Sequence, residues 1–246
     1  MAQIRVHFYQ ALNDFIAPVL RNTEIIHDLD RKASVKDVIE SFNVPHTEIE
    51  LILVNGIAVD FNYIVQDTDA IQVYPTLENP GVASLLQIRP ESTRPPVFVV
   101  DANLGKLARY LRLLGFDCLY RNDYDDNAVA KIASEQQRTV LTRDRSLLQH
   151  RIITHGYFVR SDIPKIQTKE VLKRFDLYPL IKPLTRCTHC NGVLVETDKQ
   201  KIEHRLKPLT KKYYDRFLIC SDCHHIYWQG SHCGHINHLV EEFCLI

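Results

Sequence analysis

Two Cys-x-x-Cys pairs constrain this chain more than any other feature. Cys187 and Cys190 close the first, Cys220 and Cys223 the second, and 29 residues, Asn191 to Ile219, separate them. Each pair presents two thiolates to one ion, and four thiolates complete a tetrahedral site, so the spacing predicts a structural zinc ribbon. A redox role for Cys-x-x-Cys needs a strand-to-helix junction of thioredoxin type, and neither pair has that context. The chain holds seven cysteines, an odd number with four in the two pairs, which reads as a reduced metal binder rather than a disulfide framework. Cys118 and Cys244 are expected in the core and at the terminus. After the second pair, His232, Cys233, His235 and His238 offer further donors, but their crowded spacing matches no standard site.

A ribbon alone cannot use 246 residues. Pro-bearing breaks at RPESTRPP (89–96) and YPLIKPLTR (178–186) suggest domains over residues 1–88, 96–180 and 184–246. The formal charge is zero, yet it is unevenly spread. Residues 1–100 carry 7 Lys and Arg against 13 Asp and Glu, residues 101–180 carry 14 against 10, and residues 181–246 carry 9 against 7. The basic character therefore lies in the last two thirds, as in a polyanion binder with an acidic appendage. The first residues lack the apolar run of a signal peptide and no 18 apolar residues occur together, so a cytoplasmic protein without membrane contact is expected.

In the first segment IRVHFYQAL alternates like a strand, and SVKDVIESF reads as a helix with Val35, Val38, Ile39 and Phe42 on one face. LILVNGIAV predicts a strand pair turning at Asn55-Gly56, and AIQVYP a last strand, giving an α+β roll. The stretch VNGIAVDFNYIVQDTDAIQVYP resembles the ubiquitin-like sulfur carriers of thiamine and molybdopterin synthesis, over most of residues 1–76. Those carriers end in Gly-Gly, whereas this chain continues through Thr76, Leu77 and Glu78. An interaction module that contacts a protein partner is the better expectation.

The middle segment alternates strands (PVFVVD, FDCLY, TVLT, GYFVR) with helices (LGKLARYLRLLG, DDNAVAKIASEQ, TKEVLKRF), the order of an α/β fold with a parallel sheet. No Gly-rich fingerprint follows the first strand, so no nucleotide cofactor is expected. Ligands of such sheets bind beyond the carboxyl ends of the strands. Asp101 ends the first strand, Asp144 lies two residues past the third, and Asp126 opens the second helix beside Asp123 and Asp125. Carboxylates drawn together repel unless a cation lies between them, and hard oxygen donors select Mg²⁺ or Mn²⁺. Such ions promote phosphodiester hydrolysis. Taken singly, the same aspartates serve equally as helix caps or turn residues. Lys106, Arg109 and Arg112 recur at three-residue spacing and are expected as a stripe on the solvent face of the first helix, while Arg143 and Arg145 flank Asp144. Guanidinium groups rimming carboxylates suit a polyanionic substrate, although a basic stripe alone is equally a solvated helix face.

VVDANLGKLARYLRLLGFD, DDNAVAKIA, TVLTRDRSLL, the cysteine pairs and YWQGSH, in this order, resemble the Mut-seven C-terminal RNase domain family, a branch of the PIN-like nucleases, over about residues 97–235. The resemblance implies a PIN-like Rossmannoid sheet with Asp101, Asp126 and Asp144 as acidic ligands, and RNA contacts from Arg143 and the helix arginines. PIN-like nucleases usually add a fourth carboxylate, for which the sequence offers Asp125 or Asp162. Within YWQGSH, Tyr227 is expected to fill the small ribbon core, and Trp228 to stand at the surface where, with His232, it can meet RNA. The expectation is thus a metal-dependent, endonucleolytic ribonuclease. The alternative is a catalytically silent RNA- or ribosome-binding adaptor that keeps the zinc ribbon.

Overall fold

The computed structural model describes residues 2–75, 96–228 and 239–243, and the chain divides into two compact units. One holds the described residues up to 75 together with Asp144–Phe158. The other holds 96–143 and the described residues from Val159 onward.

The first unit opens with β1 (Ala2–Phe8) and β2 (Ile25–Leu29), then α1 (Val35–Ser41), β3 (Leu51–Val54), β4 (Ile57–Ala58) and β5 (Ala70–Tyr74). The strands lie in the order β2-β1-β5-β3-β4, with β1 parallel to β5 and the other neighbours antiparallel. This is the expected ubiquitin-like roll. Ile4, Val6 and Phe8 of β1 and Ile71 and Val73 of β5 project at period two onto Val35, Val38 and Ile39 of α1, all buried. Helix α1 starts where a reciprocal cap satisfies its first amides: Ser34 Oγ accepts from Asp37 N, and Asp37 Oδ2 accepts from Ser34 N. The β3–β4 hairpin turns at Asn55 and Gly56 with φ of 51° and 82°, the left-handed pair that an Asn-Gly turn favours.

Two later elements belong to the same unit. The segment 144–158 contributes α4 (Arg145–Leu148) and β9 (Gly156–Phe158), and it buries Leu147, Leu148, Ile153 and Tyr157. The sequence predicts GYFVR as a strand of the middle segment's parallel sheet, and β9 is the fourth strand of that sheet.

The second unit begins with β6 (Phe98–Val100), α2 (Gly105–Leu113), β7 (Cys118–Leu119), α3 (Asp126–Gln136) and β8 (Thr139–Thr142), and continues through α5 (Pro164–Arg174). β6 lies between β7 and β8 and is parallel to both, the parallel α/β sheet expected. Phe98, Val99 and Val100 are fully buried, as sheet-centre residues covered on both faces must be. Leu107, Ala108 and Leu111 seat α2. Gly115 ends that helix at φ 97°, where any side chain would collide with the Lys182 carbonyl. There Leu114 and Leu113 carbonyls accept from Lys182 N and Leu184 N.

Beyond Leu184 come β10 (Leu194–Thr197), α6 (Lys199–Ile202), α7 (Pro208–Tyr213), β11 (Phe217–Cys220) and β12 (Ile226–Trp228), and β10, β11 and β12 form an antiparallel ribbon. It belongs to the same compact unit as the parallel sheet, to which a partly buried polar junction joins it. Asp117 accepts from Arg138 at 2.6 Å, Arg186 at 3.2 Å and Asn191 Nδ2 at 2.9 Å, while Asn191 Oδ1 accepts from Cys118 N. No helix among the described residues is long and apolar enough to cross a membrane.

Burial pushes the Asp117 carboxyl up, but hydrogen bonds and charge from Arg138, Asn191 and Arg186 outweigh it and hold it below the usual value of 3.8. A carboxyl lowered on folding stabilises fully above 3.8, and that contribution drains away as pH falls below it. Asp117→Asn is therefore expected to unfold at lower urea than wild type at pH 7, with the gap narrowing below pH 3.8. Fluorescence of Trp228, the single tryptophan, reads this unit alone. A gap independent of pH would show that the ion pairs contribute nothing.

Candidate metal and carboxylate sites

The cysteine quartet is assembled by its two turns. After each pair the chain passes through a left-handed residue, Asn191 at φ 76° and His224 at φ 55°. Gly192 N donates to Cys190 Sγ at 3.4 Å and Cys223 N to Cys220 Sγ at 3.5 Å. Gly192 has no room for a side chain, because a Cβ would meet the Asp222 carboxylate at 2.7 Å and Cys220 Sγ at 2.8 Å. The four sulfurs lie within 4.8 Å of one another, with Cys187–Cys223 at 3.6 Å and Cys190–Cys220 at 3.4 Å. A tetrahedron of zinc–sulfur bonds has edges of about 3.8 Å, so the donors and their spacing fit that ion.

Burial raises the Cys187 thiol, but the Tyr227 hydroxyl at 3.1 Å and the N–H groups of Cys190 and His189 outweigh it and bring it to about 7. Cys190 goes the other way, to about 12, through burial and the neighbouring thiols. Four thiols this close ionise together only around a cation. Tyr227 also accepts from Thr188 N, so its hydroxyl belongs to the ribbon core, as its expected place required. Burial sends the Cys118 thiol up to about 12, which suits a core residue and no nucleophile.

The carboxylates are placed differently. Asp101 is buried directly after β6, and its Oδ2 accepts from Thr142 Oγ1 at 2.7 Å. Thr142, itself fully buried, ends β8, so the carboxyl ends of these two strands meet at one polar contact. Asp101 Oδ1 also accepts from Asn103 N, capping the 3-10 turn that leads into α2. The loop after β7 reaches the same edge: Tyr120 Oη donates to Ala102 O, over Gly105, where a Cβ would strike the ring. Asp125 caps α3 through Ala128 N at 2.7 Å, and Asp126 is exposed in its first turn. Asp123 pairs with Arg121 at 2.7 Å, and Asp162 is exposed ahead of α5. In the other unit Asp144 caps α4, accepting from Ser146 N and Oγ.

Among the described residues, only the cysteines bring three or more ligand atoms of His, Cys, Asp or Glu together. The aspartates are not gathered in this way, so no coordination geometry is assigned to them. Their oxygens nonetheless have the hardness that Mg²⁺ or Mn²⁺ prefers.

The basic residues also separate. Lys106 and Arg109 are exposed on α2, but Arg112 is buried and does not belong to a solvent stripe. A three-residue repeat falls about 60° short of a full turn at each step, so Arg112 sits roughly 120° around the helix from Lys106. It donates to Cys118 O at 2.7 Å and His189 O at 3.0 Å, and more distantly to Thr188 O and Tyr120 O. This side chain fastens the first cysteine turn to the sheet. Arg143 is exposed and uses Nη1 on Arg160 O. Arg145 is half-buried and is also not on an open rim: it donates to Asp14 O and Phe15 O and lies over the Phe15 and Phe158 rings. Trp228 pairs with Phe217 in the ribbon and lines a groove of about 1110 Å³, with Arg109, Lys201, Arg216 and His225 among its other walls. Sequence reasoning did not anticipate this groove, because its walls come from positions more than a hundred residues apart. None of the candidate aspartates lines it. His232, Cys233, His235, His238 and Cys244 lie outside the described residues.

Arg112→Met is expected to cost about 2–4 kcal/mol, since it leaves buried carbonyls without a donor, while Arg109→Ala and Lys106→Ala stay within about 0.5 kcal/mol. Urea unfolding followed by Trp228 fluorescence measures all three; equal costs would contradict the assignment.

No curated protein and no solved structure matches the chain. The Mut7-C RNAse domain model matches residues 96–240, and the Mut7-C ubiquitin model matches residues 1–80. The parallel sheet with Asp101 at its carboxyl edge, the cysteine quartet and the leading ubiquitin-like roll thus belong to one fusion, and the chain is a member of the Mut7-C RNAse domain family.

Proposed function

We propose that this chain is a metal-dependent ribonuclease that cuts RNA internally at the carboxyl edge of its parallel sheet. The family match supports a nuclease-like role, and the observation that carries the site is Asp101, buried after β6 and oriented by Thr142 at the end of β8. Asp126, in the first turn of the helix after β7, is its proposed companion, and the resemblance adds Asp144 by its place in the chain, with Asp125 or Asp162 as the fourth carboxylate. Mg²⁺ or Mn²⁺ at these carboxylates would offset phosphate charge and acidify a water. The protein's own contribution is orientation. Thr142 fixes which Asp101 oxygen faces the edge, and Lys106, Arg109 and Arg143, all exposed, supply charge for RNA phosphates.

Zinc is the proposed occupant of the quartet, where it fixes the ribbon. The ribbon groove is then the proposed path of the strand, with Trp228 offering a face for an unpaired base and Arg109 and Arg216 holding phosphates.

Purified protein should contain one zinc per chain, absent in Cys187→Ser and Cys220→Ser by elemental analysis. With Mn²⁺ or Mg²⁺ it should cut a mixed structured RNA pool, and Asp101→Asn and Asp126→Asn should slow cutting by on the order of 10²-fold or more without weakening RNA binding. Bound but intact RNA under every metal condition would instead establish the adaptor reading.

A further inference from the structure

We infer that the ubiquitin-like unit is an intramolecular clamp that holds the segment beginning with Asp144. Only the role of Asp144 in this inference rests on the ribonuclease reading.

Residues of the roll contact the segment 144–158 near its start, in its middle and at its end, where β9 is also a strand of the parallel sheet. At its start, Arg145 donates to the carbonyls of Asp14 and Phe15 and covers the Phe15 ring. In its middle, Gln149 Nε2 donates to Glu40 O, and His46 Nε2 donates to Ile153 O at 2.8 Å. The other nitrogen of that imidazole lies 2.6 Å from Glu40 Oε1, so the ring is fixed from both sides. At its end, Phe158 N donates to Glu48 Oε1 at 2.6 Å, and the Phe158 ring meets Phe15 edge-on at 5.3 Å. Gly156 passes so close to Leu148 and Thr47 that a Cβ would meet Leu148 Cδ2 at 2.5 Å.

His46 and Glu48 are 5% exposed, and a buried carboxylate or imidazole is tolerated where it has partners such as these. A free interaction module has no reason to bury them. The face formed by Asp14, Phe15, Glu40 and His46–Glu48 is therefore already occupied by this chain. The segment is joined at both ends to the sheet unit: Asp144 follows Arg143, two residues past β8, and Phe158 precedes Val159, whose N–H donates to Thr142 O. Thr142 is also the residue that orients Asp101. His46 and Glu48 are thus positioning residues for the stretch that carries Asp144, although they belong to the roll.

Hydrogen–deuterium exchange on the full chain tests this. Glu48→Leu and His46→Leu should speed exchange of amides in 144–158 about tenfold or more, with β1 and β5 amides protected as in wild type. Glu48→Gln keeps an Oε1 acceptor and should restore protection. Should Glu48→Leu expose β1 and β5 as well, Arg145→Met, which spares the roll's own side chains, supplies the comparison. Cleavage by the leucine variants should lose kcat with KM for RNA unchanged. Unaltered exchange in 144–158, or faster exchange with unaltered kcat, overturns the inference. A wild-type protein that cuts no RNA defeats the ribonuclease reading instead, and exchange alone then decides the clamp.

Discussion

One partly buried polar junction joins the sheet to the ribbon. Asp117 sits at the start of the second strand and gathers Arg138, Arg186 and Asn191, while Arg112 fastens Cys118 O to the carbonyls of Thr188 and His189. A ribbon this small has little core beyond Leu194, Cys187, Cys220 and the residues around them. It cannot hold a rigid orientation by apolar burial alone. Charge-assisted bonds in a low-dielectric setting do so instead, and each is costly to break singly because its partner is left buried and unpaired. The first cysteine turn is consequently anchored on the sheet before any ion is considered.

Local rules reached much of this from sequence. The Asn55-Gly56 turn and the paired cysteines each obey chemistry confined to a few neighbouring residues. The misread positions all depend on distant partners. Arg112 looks like one of three surface cations until the ribbon, more than seventy residues later, covers its side of α2. Arg145 looks like a phosphate contact until Phe15 is beneath it. Asp101, Asp125 and Asp144 illustrate a different ambiguity, since an aspartate after a strand can cap a helix and serve a site at once. The capping bonds are the ones the geometry displays.

The N-terminal roll gains a physical reason to be in the chain. Ubiquitin-like modules are readily imagined as handles for other proteins, yet here the face around His46 and Glu48 meets residues 144–158 of the same polypeptide. The Mut7-C ubiquitin and Mut7-C RNAse matches lie on one chain.

The account stands or falls on whether the sheet edge at Asp101 takes a divalent cation. Manganese titration of the zinc-loaded full chain, followed by electron paramagnetic resonance, reads this without any RNA substrate. A saturable manganese site that disappears in Asp101→Asn and survives in Asp123→Asn is the predicted result. Binding that is absent in wild type, or identical in both variants, would contradict the account and leave Asp101 as a helix cap.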